Sequence, residues 1–160
     1  MVVTEELLKE ELIVINMKAK NSDESINKLA EILYEKGFVK ESYIQGILER
    51  EKNFPTGLPT EGVGVAIPHT DAEHVNNPAI AIAVLEKPVA FKMMGGAIEQ
   101  EVEVQILFML AIKESKTQIE LLQKLMNIFQ DKKILESIQK SLTPAEIKEN
   151  FSVVTKDILV

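Results

Sequence analysis

The 160-residue chain has no cysteine and no tryptophan, and only two histidines. Without cysteine, disulfides, zinc–thiolate sites and thiol nucleophiles are excluded. Aromatic residues make up 5% of the chain, which argues against a base-stacking or sugar-stacking platform. Positive charge is also scarce. Eighteen Lys and Arg stand against 25 Asp and Glu, a net charge of −7, which does not suit binding along a phosphate backbone. Nucleic acid is therefore not an expected partner. Long apolar runs are missing as well: the longest, 79–85 and 106–112, fall far short of the roughly 20 residues needed to span a bilayer. The start, Met1-Val-Val-Thr-Glu-Glu, lacks the basic and apolar segments of a signal peptide. The expectation is a soluble, cytoplasmic protein with no direct membrane insertion.

What is present is an ordinary globular composition, 46% hydrophobic and 27% charged. The length suits one domain over 1–160, with its core over about residues 5–152 and about two-thirds of the unfolded surface buried. Residues 11–17 (ELIVINM) read as a first strand. Ile26, Leu29, Ala30 and Leu33 then recur at helical spacing, with Asn21 or Ser22 as cap and Gly37–Phe38 as stop. A second helix is expected over about 41–51, carried by Tyr43, Ile44, Ile47 and Leu48.

Pro55, Gly57, Pro59, Gly62 and Gly64 crowd into ten positions and predict a loop. A short strand over 63–67 follows, stopped by Pro68. Residues 79–85 and 104–112 are apolar on both faces, as strands covered on both sides are. Met93-Met94-Gly95-Gly96 reads as a flexible connection between them. A helix follows Ser115, a shorter one is capped by Asp131, and a last one opens at Thr143-Pro144. The pattern is α/β: a single-domain sandwich, a mixed and mostly parallel sheet with helices on both faces.

His69 follows a strand and a proline, where sites commonly lie in α/β proteins. The alternative is an inert loop histidine. His74, with Asp71 and Glu73 nearby, invites a metal reading, but the spacing matches neither H-E-x-x-H nor H-x-x-E-H. No metal is expected, and His74 reads as exposed. Gly62-Val63-Gly64 is not a dinucleotide fingerprint, because the third glycine position is Ile67. Ser115 and Thr117 have no neighbouring histidine, and capping accounts for Ser115. Arg50 ends the second helix, either as a cation suited to the helix dipole or as a guanidinium at the mouth of the Gly/Pro loop. Gln118 extends the apolar stripe of the helix after Ser115, either as a frayed end or as a site rim.

Taken together, Glu49-Arg50-Glu51-Lys52-Asn53-Phe54-Pro55-Thr56-Gly57 and Gly64-Val65-Ala66-Ile67-Pro68-His69-Thr70 resemble the IIA component of the bacterial sugar phosphotransferase system. The resemblance is to the fructose–mannitol type, and within it to the galactitol-specific branch. It implies that His69 takes a phosphoryl group from phospho-HPr and passes it to a cysteine of a IIB protein, for a sugar or sugar alcohol entering through a membrane IIC. Arg50 would steady the group, with Gln118, Thr56, Gly64 and Thr70 at the site rim. Mannitol-type members often carry a second histidine where this chain has Gln118. Neither a metal nor a nucleotide cofactor is implied. Loop amides near Gly62 and Gly64 are expected to approach the phosphoryl oxygens, and Ile67, Pro68 and Met93-Met94 to form an apolar docking surface. A regulatory module of the same fold, controlling a transcription factor or another protein by contact, is the second reading.

Overall fold

The computed structural model describes residues 7–97 and 99–158, from 152 onward by backbone alone, so the N-terminal segment read above lies outside the described residues. Among the described residues, five strands form one mixed sheet: β1 (Leu8–Met17), β2 (Gly57–Leu58), β3 (Gly64–Ala66), β4 (Ala79–Lys92) and β5 (Glu101–Ala111). Their order is β1-β4-β5-β3-β2. The β1–β4 and β3–β5 pairs are parallel; β4–β5 and β2–β3 are antiparallel. The helices are α1 (Ser22–Glu35), α2 (Ser42–Asn53), α3 (Ser115–Ile128), α4 (Lys132–Lys140) and α5 (Pro144–Ile158). As expected from the sequence, they cover both faces of the sheet.

β4 shows how the sequence assigns those faces. Its alternation sends Ala79, Ala81 and Ala83 to one side and Ile80, Ile82 and Val84 to the other. The alanine side lets α1 approach closely, with α2 packed against α1, and Leu29, Leu33, Tyr43 and Ile47 fill the space. On the other side Phe108 of β5 packs against Phe129, with ring centroids 4.6 Å apart, and Phe151, 5.8 Å away.

The helix ends follow their local chemistry. Asn21 accepts from the Glu24 amide at 2.8 Å and opens α1. At its other end Gly37 adopts φ 85°, and Phe38 N–H reaches back to the Leu33 carbonyl at 3.0 Å. Asp131 caps α4, and Thr143 accepts from the Glu146 amide at the start of α5. Ser115 is not a cap: Glu114 holds that position without a side-chain bond, and Ser115 is already helical.

Three segments differ from the sequence reading. β4 does not stop at Leu85 but continues to Lys92 through exposed residues 86–88, where a register shift between Val84 and Val89 accommodates Pro88. The alternating signal fades there because these side chains face water. Inside the Gly/Pro-rich loop, Gly57 and Leu58 pair with Ala66 and Val65 as β2. The segment 93–96 is tied down, Met94 N–H donating to the Gly57 carbonyl at 2.8 Å while Gly95 takes φ 66°.

Gly64 is required by packing. A Cβ there would collide with the backbone carbonyl of Glu103 on β5. Gly64→Ala should lower the unfolding free energy by about 3 kcal/mol or more, read by urea denaturation. A wild-type midpoint would contradict this contact.

Candidate active site

β3 hands the chain to His69 through two buried residues, Ile67 and Pro68. Leu110 of β5 fixes this exit from both sides. Its N–H donates to the Pro68 carbonyl at 3.0 Å, and its own carbonyl accepts from the buried Tyr43 hydroxyl at 2.6 Å. The start of α2 is thereby locked to the strand beside the histidine.

The His69 ring lies half-buried, with Nδ1 2.8 Å from the Ile67 carbonyl. A carbonyl only accepts, so Nδ1 carries the proton and Nε2 keeps its lone pair. Burial pushes the imidazole below its ordinary pKa, chiefly by desolvation. The Ile67 bond and Asp71 work in the opposite direction, while the nearby Arg50 charge lowers it further. The free base is thus the resting form at neutral pH.

Arg50 comes from the last turn of α2. Its guanidinium sits 4.2 Å over the ring of Phe54, which is 59% exposed. Among the described residues Arg50 has no ion pair, and its Nε is buried without a hydrogen-bond partner. A buried donor left unpaired costs about 1–3 kcal/mol, which favours an incoming anion. Arg50→Ala should raise the titration midpoint of His69, because it removes a cation that holds it down. NMR titration of the ring decides this, and a midpoint unmoved by the substitution would remove Arg50 from the electrostatics of the site.

Behind the histidine lies a second cluster. Glu51, 8% exposed, accepts from Thr56 N–H at 2.7 Å through Oε2 and from Thr56 Oγ1 at 2.7 Å through Oε1. Thr56 Oγ1 in turn accepts from the Ile67 amide at 3.2 Å. Desolvation pushes the Glu51 carboxyl up to about 7; the Thr56 bonds pull it down, and Asp23 adds to the rise. The folded chain therefore holds a proton that the unfolded chain releases near 4.5, so Glu51 makes stability fall as pH rises from there through about 7. Relative to wild type, Glu51→Gln should gain about 3 kcal/mol across that window, measured by urea unfolding at several pH values. Parallel pH curves for the two proteins would exclude a raised Glu51.

The remaining sequence candidates disperse. Thr70 is buried, facing Gly46 of α2, where an added Cβ would lie 3.4 Å from Oγ1. His74 is partly buried, contrary to the exposed position expected from sequence: Ser42 Oγ lies 2.8 Å from its Nδ1, and its ring packs against the same glycine. Gly64 serves the β3–β5 contact described above, and Gly62 meets the Lys132 side chain. Gln118 lies in the first turn of α3 with Oε1 buried and unpartnered, and no described contact joins it to His69. Ile67 and Pro68 are buried and cannot supply a docking surface. The exposed apolar group beside Arg50 is Phe54.

Sequence reasoning passed over Glu51, although a signal exists. The buried face of α2 is Tyr43, Ile47 and Glu51, so a carboxylate occupies an apolar stripe.

Residues 6–153 match the family described as phosphoenolpyruvate-dependent sugar phosphotransferase system, EIIA 2. The chain belongs to this family. It is 30% identical over 117 residues to the galactitol-specific EIIA component of Escherichia coli K12, covering 73% of this chain and 76% of that protein. The transcriptional regulator ManR of Bacillus subtilis is 34% identical over 102 residues, 64% of this chain, but the chain spans only 14% of the regulator's length. Among solved structures, IIA mannitol from E. coli superposes with a TM-score of 0.73 at 25% identity, covering 89% of this chain and 97% of that one. Membership in EIIA 2 agrees with both the fold and the sequence resemblance.

Proposed function

We propose that the chain is a phosphocarrier that accepts a phosphoryl group on His69 Nε2 from phospho-HPr and passes it to a cysteine of a IIB partner. The observation that carries this reading is the pairing of Nδ1 with the Ile67 carbonyl, which leaves Nε2 as a nucleophile on a ring that feels the charge of an under-partnered guanidinium. In the forward step the Nε2 lone pair attacks phosphorus in line. A P–N bond forms as the bond to the donor breaks, and the donor leaves with the electron pair. Attack by the IIB thiolate then breaks the new P–N bond and returns the lone pair to Nε2. Such chemistry is governed by positioning and charge stabilisation, which a fixed imidazole and Arg50 supply. Likeness to the galactitol component favours uptake of a sugar or sugar alcohol of that kind through a membrane IIC.

Likeness to ManR supports a second reading, in which phosphorylation of His69 reports to a regulator by contact. The two share their first step and diverge at the acceptor.

Mixing the protein with phosphoenolpyruvate, enzyme I and HPr should add one acid-labile, base-stable phosphate by intact mass. His69→Ala should add none, and Arg50→Ala should accept about tenfold more slowly or worse. An unmodified wild type would overturn the phosphocarrier reading. Rapid discharge of the phosphorylated protein by a IIB protein favours transport; discharge only in the presence of a regulator favours the second reading.

A further inference from the structure

We propose that Glu51 and Thr56 are positioning residues for His69, holding its ring in one tautomer through the backbone of Ile67. The argument is one of hydrogen-bond direction. Thr56 has a single hydroxyl proton, and the ionised Glu51 accepts it in a hydrogen bond through Oε1 at 2.7 Å. The threonine oxygen is then available only as an acceptor, and the Ile67 amide donates to it at 3.2 Å. The second Glu51 oxygen takes the Thr56 amide at 2.7 Å, so the threonine is held at both polar groups. With its amide anchored, Ile67 presents its carbonyl to His69 Nδ1 at 2.8 Å, and Pro68 between them limits the backbone motion that would separate the pair.

Simple packing does not account for this cluster. Glu51 continues the Tyr43–Ile47 stripe, where an apolar side chain would avoid the desolvation that a carboxylate suffers. Its two bonds both end on Thr56, and the free side of Thr56 ends on the residue that orients the histidine. The tautomer matters for reactivity. With the proton on Nε2 that nitrogen has no lone pair to offer, so any loss of the Nδ1–H form lowers the nucleophilic fraction. Arg50 and Glu51 are adjacent, so the last turn of α2 supplies both the charge that acts on the ring and the anchor of its Nδ1 proton.

The kinetic consequence rests on the phosphocarrier reading; the tautomer does not. The test uses the full chain with 15N-labelled histidine at about pH 8, where the His69 ring is neutral. Wild type should show His69 as the Nδ1–H tautomer. Thr56→Val, which keeps the shape but removes the hydroxyl, should move the His69 ring shifts toward the Nε2–H form. His74, bonded instead to Ser42, serves as an internal control whose shifts stay put. Thr56→Ser, which keeps the hydroxyl, should retain the wild-type shifts. Glu51→Gln should move them in the same direction as Thr56→Val, because its single amide oxygen cannot accept from both the Thr56 N–H and the Thr56 hydroxyl, and its NH2 faces a donor.

With phospho-HPr as donor, Thr56→Val should lower the saturated transfer rate by about tenfold or more, with half-saturation changed less than about twofold. Thr56→Ser should recover most of that rate. A folded Thr56→Val protein with the wild-type tautomer and rate overturns the proposal. A wild type that accepts no phosphoryl group overturns the phosphocarrier reading instead, and the ring shifts still decide the role of Thr56. If Thr56→Val fails to fold, Glu51→Gln carries the same test: unchanged ring shifts in that variant overturn the proposal.

Discussion

The candidate site depends on one hydrogen bond, from His69 Nδ1 to the carbonyl of Ile67 two residues earlier. A neutral imidazole can place its proton on either nitrogen, and a backbone acceptor settles the choice more firmly than a mobile side chain. The rest of the architecture makes that acceptor stationary. Ile67 is buried at the end of β3, Pro68 is tied to Leu110, and Leu110 is tied to Tyr43 of α2. A loop carrying the same four residues outside a sheet would lack those anchors.

α2 is the second organising element. Its first turn supplies Tyr43, its middle the close-packing Gly46, and its last turn Arg50 and Glu51. The alanine face of β4 helps to make this possible, since it allows α1 to sit close to the sheet and α2 packs on α1. Helices α3, α4 and α5 pack on the larger residues of the opposite face, in a separate core. The site draws on both cores, with Tyr43 and Ile47 in one and Ile67 and Leu110 in the other.

Much of this was legible. Asn21, Gly37, Asp131 and Thr143 end or begin helices where their side-chain chemistry or backbone freedom directs, and the two doubly apolar segments became central strands. His69 and Arg50 stood out because each carries a chemically capable side chain at or just beyond the end of an element. What escaped had physical reasons. The acceptor for His69 is a main-chain oxygen, and no residue letter encodes a carbonyl's direction. Gly64 is also demanded by the Glu103 carbonyl beside it, a contact between strands that no residue letter shows. β2 is two residues long, too short to show a period, and Pro88 lies in a bulge that masks the continuation of β4. Glu51 was written plainly in the apolar stripe of α2 but reads there as ordinary helix-surface charge.

The placing of Arg50 against Phe54 has a consequence for the order of events at this surface. An aromatic ring holds a guanidinium without neutralising it, so the surface presents an exposed ring backed by the Arg50 charge. On the phosphocarrier reading, a phosphoryl group would set about two negative charges against that one. The face a partner meets would thus change the sign of its charge with its cargo, and the empty and loaded forms would attract different surfaces.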